Sequence, residues 1–391
     1  MKYNFDTVVD RSDNFAAKWT EMDKKYGTND LLPMWIADMD FKAAPCIVEA
    51  IRNRLDQEIY GYTTRPDSYN ESIVNWVSKR FGWNIKKEWL IFSPGVMPSI
   101  SLIIQELTDK NDKIMIQEPV YSPFNSIVKA NDRELVISPL IKEENGNYVM
   151  NYAEIEANIK DVKLFILCNP HNPVGRVWTK EELIKLGDIC IRNNVKVISD
   201  EIHCDIILKG HKHTPFGSIS EEFAQNSITC MAPTKTFNIA GLQMSQVILP
   251  NEDDYNKLDT AFTRIDIKRN NAFSLVATEA AYNHGEDWLD EFLEYLEGNI
   301  DFAVKYIQDN IPALKVNKPE ATYLLWVDFS KLGKSDDEIA KALVEKGKIA
   351  LNNGPSFGIG GSQFQRINLA CPRSMVEEGL SRIKTAVESL L

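Results

Sequence analysis

LFILCNPHNPVGRVWTKEELIKLGDICIRNNVKVISDEIHCD, residues 164–205, decides the fold. A short apolar run ends in a turn punctuated by Asn and Pro. A charged amphipathic stretch follows, and the chain then returns to a second apolar run that stops at Asp200. That order is the signature of a strand–helix–strand unit laid against a mainly parallel sheet.

The same rhythm extends in both directions. WLIFS (89–93), KIMIQE (113–118) and SITCMA (227–232) are further short apolar runs separated by amphipathic segments, so residues 46–285 form a large α/β domain. From Glu286 to Ile311 the chain is one long charged amphipathic stretch. ATYLLWVDFS (321–330) then reads as a strand, SDDEIAKALVEKG (335–347) as a helix, and a last helix follows PRSMVEE (372–378). Residues 286–391 are therefore expected to form a smaller α+β domain. Residues 1–45 lack the α/β rhythm; their aromatic, Pro-bounded LLPMWIADMDF (31–41) is expected to wrap onto the small domain and reach the site.

The length of 391 residues suits two domains, each with its own core. With 44 basic and 56 acidic residues the net charge is −12, which argues against a nucleic-acid footprint or an anionic membrane and favours a small-molecule partner. The opening MKYNFDTVVDRSDN lacks the apolar run of a signal peptide, and no stretch is long enough to span a membrane, so a cytoplasmic location is expected. Six cysteines without a CxxC pair read as buried free thiols.

Five apolar runs end in polar chemistry: SPGVMPS (93–99), EPVYSPF (118–124), CNPHNPVGR (168–176), SDEIHCD (199–205) and APTKTFN (232–238). Ligands of open α/β sheets bind beyond the carboxyl ends of the strands, so the five are expected to share one pocket. The turn at Pro94 and Gly95 opens directly into an apolar helix whose free amides suit a phosphate; a plain strand–turn–helix is the competing reading. Asp200, at the end of a buried strand, needs a cation to stay ionised, and a protonated pyridine nitrogen would serve; a turn cap is the alternative. Lys235 follows a buried strand, where a lowered pKa makes its amine a nucleophile for a Schiff base. A metal site among Asp200, Glu201, His203, Cys204 and Asp205 is disfavoured, because the zinc spacings are missing and neighbours on a strand point to opposite faces. His211 and His213 read as solvated loop histidines. The late GPSFGIGGS (354–362) lacks the spacing of a dinucleotide site and is either an active-site loop or a flexible one.

WIADMDF (35–41), IYGYT (59–63), SPGVMPS, EPVYSPF, NPHNPVGRVW (169–178), SDEIHCD, APTKTFNIAGLQ (232–243), NNGPSFG (352–358) and QRINLACP (365–372) occur in the order found in fold-type-I pyridoxal-phosphate enzymes. Over nearly its whole length the chain resembles the cystathionine β-lyase and C–S lyase branch of the class-I/II aminotransferases. The resemblance implies an aminotransferase-like fold, pyridoxal 5′-phosphate as cofactor, a homodimer with shared active sites, and β-elimination of a cysteine-type substrate to a thiol, pyruvate and ammonia. It implies that Lys235 binds the cofactor and moves the Cα proton, that Asp200 pairs with the pyridinium, that Asn172 bonds the phenolate oxygen and that Tyr121 stacks on the ring. Gly95, Val96 and Met97, with Thr234, would cradle the phosphate, and Tyr62 would reach the phosphate of the neighbouring subunit. Arg366 would clamp the substrate carboxylate, with Trp35, Asp38 and Asn172 beside the substrate.

Tyr62 and Tyr121 also read as packed core residues, and Asn172 as a turn residue. His203 stands where most aminotransferases carry a tyrosine. Ala232 and Gln243 replace a phosphate-binding serine and arginine, a departure that predicts weaker cofactor retention unless another donor compensates. An aminotransferase is the alternative activity, and a binding protein that keeps the fold without turnover is the alternative from another class.

Overall fold

The computed structural model describes residues 2–391. Seven strands form the central sheet: β1 (Leu90–Ser93), β2 (Lys113–Glu118), β3 (Glu134–Pro139), β4 (Val162–Cys168), β5 (Lys196–Asp200), β6 (Ser227–Met231) and β7 (Ser245–Ile248). Their order across the sheet is β1-β7-β6-β5-β4-β2-β3, and only β7 runs antiparallel to its neighbours.

Both faces of this sheet are buried, which is why its strands are continuous apolar runs rather than alternating ones. On one face Ile114, Ile166, Ile198 and Ile228 pack beneath Ile100 and Ile103 of the helix Val96–Leu107. On the other, Met115, Phe165, Leu167 and Val197 pack with Leu183 and Leu186 of the helix Lys180–Arg192. That helix starts at Lys180, because Thr179 and Glu182 close a reciprocal capping box.

A second sheet of four strands, β8 (Lys315–Val316), β9 (Leu324–Asp328), β10 (Asn352–Asn353) and β11 (Phe364–Asn368), is antiparallel in the order β8-β9-β11-β10. The long helix Glu286–Asn310 and the final helix Arg373–Glu388 lie against it. The final helix begins inside PRSMVEE rather than after it, because Pro372 adopts the extended conformation of an N-cap and the next residues are free to turn.

The amino-terminal segment is fastened to this second region. Leu32–Pro33 pairs in parallel with Ile349–Ala350, and Met34, 1% exposed, lies against Gly379 of the final helix. A charge cluster holds the next stretch: Arg11 binds Asp38 (2.8 Å) and Asp40 (2.7 Å), and Lys18 binds Asp40 (2.5 Å).

His213 departs from the expectation of a solvated loop residue. It is buried, with Nε2 2.8 Å from Glu201, whose other oxygen accepts from Ser199 and from the Phe216 amide. A carboxylate walled into the core needs such partners, and the local sequence of the loop does not reveal that it folds inward. His211 is exposed. Five of the six cysteines are buried and Cys46 is half-buried, all as free thiols.

A β-carbon at Gly379 would stand 2.3 Å from the Met34 sulfur. Gly379→Ala is therefore expected to destabilise the protein by about 1–3 kcal/mol through overpacking. An unchanged urea midpoint would count against the tight seating of the arm.

Candidate active site

The carboxyl ends of β1, β2, β4, β5 and β6 open into one cavity of about 400 Å³, within the range of small-ligand sites. Residues from all five motifs line it, and Trp35, Ile36 and Ala37 of the arm and Asn352 and Arg366 of the second sheet complete the wall.

At its β1 end the wall is backbone. Pro94, Gly95, Val96 and Met97 form the turn into the helix Val96–Leu107, and no side chain caps that helix. Free amides and the positive end of a three-turn helix together favour an anion there. Thr234 also lines the cavity. Gln243 reaches it, whereas Ala232 is buried beneath it and does not.

Asp200 ends β5 at 5% exposure and accepts a hydrogen bond from the Ile202 amide at 3.1 Å. Burial pushes its carboxyl up to about 7, and neighbouring Glu201 adds to the rise. Lys235 follows β6, and its Nζ donates to the Ala37 carbonyl at 2.6 Å. Burial lowers its ammonium to about 8; Asp38 opposes the fall and Arg366 reinforces it. This lysine thus reaches its free-amine form at mildly alkaline pH, well below the range of an exposed lysine. His203 is held neutral, with its pKa down to about 3 through burial and the charges of Lys235 and Arg366, and it packs edge-on against Tyr323. Tyr121 lines the cavity with its ring edge-on to Phe124.

Arg366 is 4% exposed, and its position follows from register: on β11 it pairs with Asn352 on one side and Trp326 on the other. Its Nη1 donates to Asn172 Oδ1 (3.0 Å), and its Nη2 to Trp35 O (2.8 Å) and Asn352 Oδ1 (2.9 Å). Nε is buried without a partner. Among the described residues no carboxylate pairs with this guanidinium, so it is a cation solvated by neutral carbonyls with donor capacity to spare. Binding Asn172 and Asn352 through their oxygens fixes both amides with their NH₂ groups turned away from it.

Lys235, Asp200, Asn172, Tyr121, His203, Thr234, Gly95, Val96, Met97, Trp35 and Arg366 are thus gathered in one place. Asp38 and Tyr62 are not. Asp38 does not line the cavity, because its carboxylate is turned into the pair with Arg11. Tyr62 is 95% exposed, outside the cavity of its own chain. Three groups escaped the sequence reading: Asn352, the Ala37 carbonyl, and Tyr323, whose hydroxyl donates to that carbonyl at 2.9 Å. The position of Asn352 opposite Arg366 on a neighbouring strand is the signal that finds it. The Gly-rich loop is packed rather than loose: Phe357 lies 5.0 Å from the Arg366 guanidinium, and Glu118 accepts from the Ile359 amide at 2.7 Å. Among the described residues no three His, Cys, Asp or Glu side chains converge as metal ligands.

The pattern that defines the family aminotransferase class I and II matches residues 29–383. Cystathionine β-lyase PatB of Bacillus subtilis (strain 168) is 44% identical, over 98% of this chain and 100% of its own length. Among solved structures, cystalysin from Treponema denticola, which contains pyridoxal 5′-phosphate, superposes with a TM-score of 0.96 at 34% identity and full coverage of both chains. A PLP-bound protein from Clostridium difficile 630 superposes at 0.98 with 75% identity, covering 98% of this chain and 100% of its own. A match over most of the length, on a cavity built at the ends of a parallel sheet, makes the chain a member of the aminotransferase class I and II family.

Proposed function

We propose that this protein is a pyridoxal-phosphate-dependent carbon–sulfur β-lyase, which cleaves cystathionine or related cysteine S-conjugates into a thiol, pyruvate and ammonia. One observation carries the reading. Three ionisable groups, Lys235, Asp200 and Arg366, share a cavity in which, among the described residues, none has an oppositely charged side chain within salt-bridge distance, each being hydrogen-bonded only to neutral groups.

The cofactor's groups suit these residues. Its phosphate suits the uncapped helix at Gly95–Met97 and its ring nitrogen suits Asp200. Its aldehyde suits the Lys235 amine, and its aromatic face suits Tyr121. When bound, pyridoxal phosphate supplies the sink for the electron pair left at the substrate Cα. Asp200 would pair with the ring nitrogen and favour its cationic form, which requires its own carboxylate to be ionised. Asn172, its oxygen engaged by Arg366, offers its NH₂ to the phenolate oxygen. Arg366 holds the α-carboxylate and so turns the Cα–H bond toward the lysine. Lys235 takes the Cα proton, and the Cβ–S bond breaks with its electrons going to sulfur. Water then converts the released enamine to pyruvate and ammonia.

We further infer a division into an arm (1–45), a large domain (46–285) and a small domain (286–391), with the cavity at their junction. The exposed Ile59, Tyr60 and Tyr62 favour a homodimer in which Tyr62 reaches the partner's phosphate. Six unpaired thiols suit a reducing compartment, and we place the protein in the cytoplasm. No helix among the described residues is long and apolar enough to cross a membrane.

Lys235→Ala is expected to lower turnover at least about 100-fold, the usual contribution of a positioned proton-transfer group. Pyruvate and thiol should form from cystathionine in the wild type without any keto acid. Release that needs a keto-acid acceptor would identify an aminotransferase instead.

The aspartate gives a pH prediction for the cofactor-free protein. Its folded pKa of about 7 lies above the ordinary 3.8, so the native state holds more protons than the unfolded chain between those values. Stability from this group is therefore full below about pH 4 and lost as the pH rises toward 7, with a slope approaching about 1.4 kcal/mol per pH unit. Asp200→Asn should abolish that slope in urea unfolding between pH 4.5 and 6.5, and equal slopes in the two proteins would refute the burial of an unpartnered carboxyl.

A further inference from the structure

The cavity is short of positive charge for a phosphate. A phosphate monoester carries about −1.5 to −2 charges at neutral pH, and a helix N-terminus offers roughly +0.5. The cations lining the cavity are Lys235, committed to the aldehyde, and Arg366, committed to the carboxylate. At the two positions that could add a hydroxyl or a guanidinium stand Ala232, which does not reach the cavity, and Gln243, which is neutral.

The missing cation is displayed elsewhere on the surface. The guanidinium of Arg269 lies 5.3 Å from the ring centroid of Tyr62. Both residues are exposed, and the flanking cations are not equivalent to Arg269: Arg264 pairs with Glu106 and Lys268 with Asp259, whereas Arg269 has no acidic partner among the described residues. Nor are the two segments independent. Thr63 donates to the Asn270 carbonyl at 2.7 Å, Arg65 donates to Asn270 Oδ1 at 3.2 Å, and the Tyr60 ring packs 5.8 Å from Phe273. Tyr62 and Arg269 are therefore held side by side on a stapled pair of segments, within the apolar patch of Ile59 and Tyr60.

We infer that Arg269 is delivered with Tyr62 into the cavity of a second copy of this chain and there binds the cofactor's phosphate, supplying the charge that Ala232 and Gln243 do not. The inference rests on the homodimer reading given above. Stacking on Tyr62 orients the guanidinium and reduces the rotamer freedom lost on binding. The ligand is a phosphate monoester, and each cavity is electrostatically complete only when two chains meet.

The test is the affinity of the cofactor-free protein for pyridoxal phosphate and for pyridoxal, which lacks the phosphate, with the oligomeric state followed by sedimentation. Arg269→Gln keeps the length of the side chain and removes its charge. It should weaken pyridoxal phosphate roughly tenfold to a hundredfold, leave pyridoxal unchanged and remain dimeric. Adding Gln243→Arg, which returns the charge from within the chain, should recover most of the loss. In mixed dimers of an Arg269→Gln chain with a Lys235→Ala chain, one site joins an intact lysine to the partner copy's intact arginine and should bind with wild-type affinity. If Arg269 served its own chain, no site would recover. A monomeric wild type would overturn the dimer reading itself. A dimeric variant with an unchanged preference for the phosphorylated form would overturn only the role of Arg269, as would a variant that falls to monomers, which would assign the residue to assembly.

Discussion

Placing charge where water cannot follow is the constraint on which the structure turns. Asp200 ends a strand of the large sheet, Lys235 lies in the short helix Pro233–Thr236 that follows another, and Arg366 sits on the second sheet; they line one cavity, and none has the counter-ion that burial normally demands. The sheet pays this electrostatic cost with a large apolar core on both of its faces, while neutral carbonyls and amides spread the charge of the arginine. Such an arrangement is poised for ligands, because an incoming group of the right sign relieves strain rather than displacing an existing partner.

The arrangement follows from topology. Parallel strands bring all their carboxyl ends to one edge, so that motifs separated by more than a hundred residues meet there. The antiparallel second sheet then delivers Arg366 and Asn352 by register alone, as cross-strand neighbours whose side chains share a face. The amino-terminal arm closes the wall and supplies two backbone carbonyls, those of Trp35 and Ala37, to the two cations.

Much of this was legible in the sequence. The strand ends announce themselves because a run buried on both faces must stop where polar chemistry begins. What escaped depends on contacts distant along the chain. Asp38 sits in a motif that suggests the substrate, yet Arg11 claims its carboxylate. His213 resembles a loop residue until Glu201 is found behind it. The Ala37 carbonyl leaves no trace at all, since backbone acceptors carry no residue identity. Asn352 is one asparagine of two until the register sets it against Arg366.

The Ala37 carbonyl accepts from Lys235 and from the fully buried Tyr323 at once. An oxygen with two lone pairs can lose one donor and keep the other. When the amine swings away, the carbonyl keeps its bond from the tyrosine, and the departure of the lysine costs a single bond. The tyrosine thus keeps this oxygen occupied whether the lysine is turned toward it or away.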